Sequence, residues 1–164
     1  MIWIYIVGAI VVLIGASAFF GAPYVPSRRR DLKRMFDALY PLSSEDVVFD
    51  AGSGDGVVLR EVGRRGAKAI GSEINPIFWG LSKLLCSGYK NISIRLGNFW
   101  IDPFPDDITL VYVFAVTRDG KRLVSKIANE RARLGRPIVV VCYGSPLPGI
   151  EPTKTYEAYF LYTF

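Results

Sequence analysis

The chain has 164 residues, of which 51% are hydrophobic, and its formal net charge is +5. It contains no histidine, which excludes a Ser-His-Asp triad, a Cys-His dyad and a histidine-ligated zinc site. The two cysteines, Cys86 and Cys142, are too few for a four-cysteine zinc site or a disulfide framework, so we expect a reducing compartment. All 20 basic and 15 acidic residues lie in residues 28–164, which are enough for one domain and too few for two.

The N-terminal segment is uncharged and long enough to cross a membrane. Ile2–Gly21 is almost entirely apolar, and as an α-helix it would span about 30 Å, the thickness of the hydrocarbon core of a bilayer. Pro23 and Pro26 favour an end to this helix, and five basic residues follow within Arg28–Arg34. The positive-inside rule then places the N-terminus outside and the following domain on the cytoplasmic or matrix side. We therefore predict a single-pass membrane protein with membrane lipid as one partner.

Two other interpretations of this segment fit less well. The run Ala16-Ser17-Ala18 resembles a signal-peptide cleavage site, but the segment lacks a positive n-region and is longer than a usual h-region. A buried core helix would need apolar partners on all sides, which a domain of this size can hardly supply. The basic cluster after the segment is explained by topology and by attraction to anionic lipid, so the net charge is little support for nucleic-acid binding.

The rest of the sequence alternates between helices and short apolar strands. Helices are predicted over Asp31–Tyr40, Val57–Arg65, Ile77–Ser87 and Asp119–Leu134, and strands over Val47–Phe49, Ala67–Ser72, Ile92–Leu96, Ile108–Val116, Pro137–Cys142 and Tyr156–Phe164. Prolines between Cys142 and Tyr156 disfavour a helix there and favour a reduced sixth strand or crossover. This alternation predicts an α/β fold, with a Rossmann-like, doubly wound, mostly parallel sheet and helices on both faces.

A glycine-rich turn directly follows the first predicted strand, where ligands of such sheets bind. The run from Asp50 to Gly56 has the spacing D-x-G-x-G-x-G. It is not the dinucleotide fingerprint, because Val57 stands where the third glycine is needed, and no Walker loop is present. Glu73 ends the second predicted strand, where a carboxylate can accept hydrogen bonds from both hydroxyls of a ribose. The pair of features predicts a nucleoside site.

These motifs resemble those of a known family. Phe49–Gly56 looks like the first motif of the class I, seven-strand S-adenosylmethionine-dependent methyltransferases. Closer resemblance lies in the membrane-anchored protein-lysine methyltransferases that act on the mitochondrial ATP-synthase c-subunit and the adenine nucleotide translocase. The matching elements are Pro23–Pro26, Glu73–Pro76, Asn98-Phe99-Trp100 and Phe114–Thr117. The resemblance implies S-adenosylmethionine as cofactor, an anchor over residues 1–21, a linker and capping helix over 22–46 and a cofactor-binding domain over 47–164.

The resemblance also implies roles for individual residues. Those that would bind the cofactor are Asp50, Gly52, Ser53, Gly54, Gly56, Glu73, Ile74, Asn75, Asn98 and Phe99. Those that would form the acceptor channel or its lid are Tyr24, Pro26, Phe114, Val116 and Thr117. The chain departs from the family at three positions, where Val57 replaces an Arg, Asn98 an Asp and Thr117 a Pro. No metal site and no catalytic base is expected.

The implied function is methylation of a lysine in a membrane-associated protein by a membrane-anchored enzyme, without nucleic acid. Two alternatives share the cofactor residues: a methyltransferase for a small lipid or quinone, and a non-catalytic membrane-anchored nucleoside-binding module. A nicotinamide-dependent dehydrogenase is disfavoured by the glycine spacing.

Overall fold

The computed structural model describes residues 2–5, 8 and 27–164. It contains four helices in residues 27–164, named here α1 (Arg29–Ala38), α2 (Val57–Arg64), α3 (Pro76–Leu85) and α4 (Gly120–Leu134). The same part of the chain forms seven strands, named β1 (Val47–Ala51), β2 (Lys68–Glu73), β3 (Ile92–Leu96), β4 (Leu110–Ala115), β5 (Val139–Gly144), β6 (Lys154–Tyr156) and β7 (Tyr159–Thr163). A short 3-10 turn, Thr117–Asp119, leads into α4.

The seven strands form one mixed sheet in the order β3-β2-β1-β4-β5-β7-β6. Strands β1 to β5 are parallel, β7 runs antiparallel to β5, and β6 runs antiparallel to β7. The Rossmann-like, mostly parallel sheet predicted from the sequence is therefore confirmed. Strand order reverses between β1 and β4, which places a binding crevice at the carboxyl ends of these strands.

One strand prediction was wrong in its detail. Of the predicted strand Tyr156–Phe164, residues Tyr159–Thr163 form β7, and Tyr156 ends β6 instead. The two strands make a hairpin, because Glu157 takes a left-handed conformation with φ of 53° and turns the chain back. A glutamate rarely adopts this conformation, so the sequence carried no turn signal there. The expected reduced sixth strand is confirmed, since β6 has three residues and residues 145–153 form no helix.

Alternate residues of each strand pack on opposite faces of the sheet. On one face, Val48, Leu110 and Val141 pack against α1 and α2. On the other, Phe49 and Val111 belong to a core that α4 completes. Residues 97–109, between β3 and β4, form no helix, so the second face depends on a loop that must be fixed in another way.

Glu130 of α4 fixes this loop. Its buried carboxylate accepts hydrogen bonds from the Phe104 backbone amide (3.2 Å), Lys126 Nζ (2.8 Å) and Arg133 Nε (2.8 Å). Lys126 also donates to the carbonyl of Asp102, and Arg133 to that of Phe104. Two ion pairs within α4 thus hold side chains whose hydrogen bonds to the loop backbone take the place of a crossover helix.

The predicted membrane span over Ile2–Gly21 lies mostly outside the described residues, and so do Tyr24 and Pro26. Within residues 2–5, 8 and 27–164, no helix combines the length and the apolar character needed to cross a bilayer.

We expect Glu130→Gln to lower the free energy of unfolding by about 1–3 kcal/mol, because the buried carboxylate that accepts from half-buried Lys126 and exposed Arg133 loses its charge. Burial alone would raise the pKa of Glu130, but hydrogen bonds from Lys126, Arg133 and the Phe104 amide lower it overall. The carboxylate therefore stabilises the fold above its ordinary pKa, and this contribution is lost as pH falls through the lowered pKa. Urea unfolding at neutral pH and near pH 3 measures both effects. Exposed Glu151→Gln is the control, and equal unfolding energies for the two variants would contradict the role of Glu130.

Candidate functional site

The residues that the sequence singles out meet at one edge of the sheet. Asp50, Glu73 and Phe114 lie on β1, β2 and β4, each at or next to the last residue, and Asn98 follows β3 by two residues. Because these strands are parallel and adjacent, their carboxyl ends meet in one crevice.

The glycine loop after β1 needs glycine at three positions. Gly52, Gly54 and Gly56 have φ of 90°, 53° and 77°, a region that side-chain-bearing residues rarely adopt. At Gly56 a Cβ atom would collide with Ser82 Oγ and lie 3.0 Å from Cys86 Sγ, so glycine also lets α2 start close to α3. The amides of Gly52 and Ser53 donate to the Ser72 carbonyl at 2.9 and 3.1 Å, which ties the loop to β2.

Glu73 links the glycine loop to the turn after β2. Its Oε2 accepts from the Gly54 amide and its Oε1 from the Asn75 amide, both at 2.8 Å. The carboxylate is 7% exposed. Since a carboxylate offers about four acceptor positions, both oxygens keep capacity for the hydroxyls of a ribose.

Asn75 and Ile74 have distinct positions beside Glu73. Asn75 Oδ1 accepts from the amides of Ile77 (2.9 Å) and Phe78 (3.4 Å), so Asn75 is the N-cap of α3 and Pro76 its first residue. The Glu-x-Asn-Pro run thus has a structural explanation, and a contact of Asn75 with the cofactor remains a prediction. Ile74 is 51% exposed at the rim of the crevice, where an adenine would find an apolar surface.

Asp50 is buried at the end of β1, and its Oδ2 has no hydrogen-bond partner among the described residues. Burial, together with the negative charges of Glu73 and Asp55, raises the pKa of Asp50 well above its usual range. Asp55, unlike Asp50, has a cationic partner, since Arg60 Nη2 lies 3.3 Å from its Oδ2. A cationic group placed beside Asp50 would supply the missing partner and restore its charged form. The buried hydroxyl of Ser53 also lacks a partner among the described residues.

The turn after β3 contains an acid that the sequence analysis missed. Asn98 Oδ1 accepts from the Trp100 amide at 3.1 Å, and the Asn98 amide donates to Asp102 Oδ2 at 2.7 Å. The Phe99 ring packs against Trp100 at a tilt of 31°, with 4.5 Å between ring centroids, and its Cε1 is 4.0 Å from where Gly52 would carry a Cβ. Phe99 therefore forms a wall beside the glycine loop. The position of Asp102, four residues after Asn98, suits such a turn but gives no signal by itself.

Aromatic side chains line the crevice at the ends of β4, β5 and β7. Phe114 lies 5.7 Å from Tyr143, and Tyr143 stacks on Tyr159 at 4.6 Å between ring centroids. The Tyr112 hydroxyl, buried next to Asp50 across β1 and β4, is 3.0 Å from Ser27 Oγ. Sequence reasoning missed Tyr143, Tyr159 and Ser27, because only the strand register places them here.

The other two predicted acceptor residues, Val116 and Thr117, follow β4. Val116 is half-buried and precedes the 3-10 turn, and exposed Thr117 has its Oγ1 3.1 Å from Ser145 Oγ. Among the described residues, no group of three or more histidine, cysteine, aspartate or glutamate side chains could hold a metal ion.

The chain matches no protein-family model. It is 31% identical over 113 residues to a protein-lysine N-methyltransferase of Saccharolobus islandicus, a match covering 66% of this chain and 69% of the relative. It is 30% identical over 129 residues to a demethylmenaquinone methyltransferase of Tropheryma whipplei, covering 74% of this chain and 51% of that relative.

Solved structures have the same fold. An RNA methyltransferase from Salinibacter ruber, in complex with S-adenosyl-L-homocysteine, superposes with a TM-score of 0.74 at 20% identity, covering 85% of this chain and 93% of that one. A methyltransferase from Geobacter sulfurreducens, also with S-adenosyl-L-homocysteine, gives a TM-score of 0.60 at 19% identity, covering 87% and 59% of the two chains.

The cofactor of these proteins fits the residues present here. The buried, unpartnered Asp50 carboxylate suits its ammonium, and Glu73 retains acceptor capacity for its ribose. The sheet order, the glycine loop and the similarity to a lysine methyltransferase over two thirds of its length agree. The chain belongs to the class I, seven-strand S-adenosylmethionine-dependent methyltransferases.

Proposed function

We propose that this protein is a membrane-anchored methyltransferase that transfers a methyl group from S-adenosylmethionine to a lysine of a membrane-associated protein. The observation that carries the proposal is the buried Asp50 carboxylate, whose Oδ2 lacks a partner among the described residues. It lies beside the glycine loop and on the same edge of the sheet as the aromatic pair Phe114 and Tyr143. This arrangement offers a place for a cationic amino acid at one end of the crevice and for an apolar acceptor stem at the other.

The residues of the crevice divide between the parts of the cofactor. Asp50 binds the ammonium group, the Gly52–Gly56 loop admits the methionine portion closely, and Glu73 binds the ribose hydroxyls. Phe99 and Ile74 enclose the adenine, and Asn98 contributes amide groups at its edge. When bound, the cofactor supplies an electrophilic methyl group on a sulfonium. The protein contributes alignment, which can supply several kcal/mol of a barrier to direct displacement.

The acceptor end favours an amine over a carbon or phenol nucleophile. A lysine must lose its proton before it attacks, and burial beside Phe114 and Tyr143 lowers the pKa of an amine. A quinone or phenol acceptor needs a base, and the chain has no histidine to act as one. Burial raises the pKa values of Tyr112 and Tyr159, which leaves these hydroxyls neutral and unsuited to that task.

The two curated relatives represent the two candidate acceptors, a protein lysine and a quinone. The lysine methyltransferase is matched over 69% of its length and the quinone methyltransferase over 51%. Methylation of a quinone is therefore the second candidate function, and it is supported by that relative and by the apolar N-terminal segment.

The contact between Ser27 and Tyr112 supports a link between the anchor and the acceptor end. Ser27 directly follows the Pro23–Pro26 element, and Tyr112 lies beside Asp50. A segment anchored in this way would hold the crevice near acceptors in the bilayer. Its residues Tyr24 and Pro26 remain predicted lid residues.

We expect Glu73→Gln to weaken S-adenosylmethionine binding by about 10- to 100-fold, because a neutral amide loses charge-assisted hydrogen bonds to the ribose and repels one of two backbone donors. Calorimetric titration of the purified protein measures the loss. The exposed Glu45→Gln is the matched control and should bind as the parent does. Unchanged affinity in Glu73→Gln would exclude the ribose role.

We expect Asp50→Asn to reduce cofactor affinity by about tenfold or more while making the cofactor-free protein more stable at high pH. The folded state holds the Asp50 proton more tightly than the unfolded state does. Its contribution to stability is present at low pH and lost as pH rises through the raised pKa. Urea unfolding at pH 5 and pH 8 should show the advantage of the variant growing with pH.

Cofactor binding to the parent protein should release a proton, since the ammonium group favours the Asp50 carboxylate, and Asp50→Asn should abolish this release. Calorimetry in buffers of different ionisation enthalpy counts the protons. Exposed Asp37→Asn is the control. Identical proton release in Asp50→Asn and the parent would contradict the assignment.

Transfer of a radiolabelled methyl group to a membrane extract tests the acceptor. We expect label in the protein fraction, recovered as methyl-lysine after hydrolysis, and a large loss of label with Glu73→Gln. Label in the lipid fraction instead would favour a quinone or a lipid as the acceptor. Tight cofactor binding with label in neither fraction would favour a non-catalytic module.

A further inference from the structure

The outer side of α3 exposes apolar side chains. Leu84 is 71% exposed, Leu85 44%, and Ile77 and Leu81 40% each, while Ile74, just before the helix, is 51% exposed. Their spacing of three and four residues places Ile74, Ile77, Leu81, Leu84 and Leu85 along one side, and we call these five residues the α3 patch. Of the ten residues of α3, Ser82 alone is buried. A helix packed on a soluble domain normally shows the reverse pattern.

The charged residues of the chain segment that carries the patch have one sign. Residues 74–101 contain no aspartate or glutamate but include Lys83, Lys90 and Arg95. Lys83 and Lys90 are exposed, and Lys83 Nζ lies 4.9 Å above the ring centroid of half-buried Trp79. Exposed apolar side chains, an aromatic ring, a lysine that lies over this ring and a second exposed lysine are the composition of a surface that meets a lipid headgroup layer.

The patch lies at an edge of the domain and reaches the cofactor crevice. Strand β3, against which α3 packs, pairs with β2 alone among the described strands. The first residue of the patch, Ile74, directly follows Glu73. A surface that covers the patch would therefore lie next to the mouth of the crevice.

We propose that the α3 patch docks on the surface of an anionic lipid bilayer, with its apolar side chains among the headgroups and Lys83 and Lys90 beside lipid phosphates. Charge argues against a second copy, because a two-fold symmetric contact would bring the same lysines together. The contact is separate from the predicted span over Ile2–Gly21, since it concerns a folded face of the domain. It is also independent of the acceptor, so lysine and quinone methylation are both compatible with it.

A label on α3 tests this contact in the full chain. Leu84→Cys places an exposed thiol in the patch, whereas Cys86 and Cys142 are buried, and burial raises the pKa of Cys142 to about 12. The full chain, labelled with a polarity-sensitive dye, is placed in phosphatidylcholine nanodiscs with or without phosphatidylglycerol. Phosphatidylglycerol should reduce acrylamide quenching of the dye by about twofold or more and shift its emission to the blue.

Two matched controls decide the outcome. Ala128→Cys carries the same label on the exposed side of α4, across the sheet, where lysines and arginines are present without exposed large apolar side chains. Its quenching should not change. Lys83→Glu with Lys90→Glu should abolish the protection of the Leu84 label, and Lys121→Glu with Lys154→Glu should preserve it.

Three results would overturn the proposal. The first is protection of the Leu84 label without phosphatidylglycerol, which would mean that the chain itself or a second copy covers the patch. The second is equal protection at both label sites, which would mean adsorption without a preferred face. The third is an unprotected Leu84 label in both kinds of disc. Calorimetry with S-adenosylmethionine on each variant, expected to be unchanged, separates failure of docking from failure of the cofactor site.

Discussion

The carboxylate of Glu73 is the contact on which the site depends. It accepts one backbone amide from the glycine loop after β1 and one from the turn after β2, both at 2.8 Å. Two loops far apart in sequence are thereby held at a fixed separation, and that separation defines the width of the crevice. Within the same turn the Asn75 side chain caps α3, so two nearby side chains set the loop geometry and the start of a helix.

This arrangement concentrates negative charge. Burial and the nearby negative charges of Glu73 and Asp55 raise the pKa of Asp50, and the cation next to the group, Arg60, pairs with Asp55. Asp50 is left buried with an unpartnered oxygen, a feature that folding alone does not favour. Such a cost is understandable where a ligand brings the compensating positive charge. The unfavourable burial of Asp50 and its suitability for a cationic ligand thus have the same origin.

The sequence predicted the sheet, the glycine loop and the acid at the end of β2, because all three depend on residues close together in the chain. Strand length, glycine spacing and the residue at a strand end are readable from adjacent positions. Asp102, Tyr143 and Tyr159 were missed for the opposite reason, since their place depends on the register between strands and on a loop fixed by Glu130. The hairpin at Glu157 was missed because a glutamate with positive φ contradicts the usual turn residues.

The absence of a helix in residues 97–109 and 145–153 shapes the acceptor end. With no crossover helix over these segments, the walls there come from strand residues such as Phe114 and Tyr143 and from Ser27 at the start of the domain. If the α3 patch docks on a bilayer as proposed, the bilayer surface lies next to this end of the crevice and can exclude water where no helix of residues 97–109 or 145–153 does so.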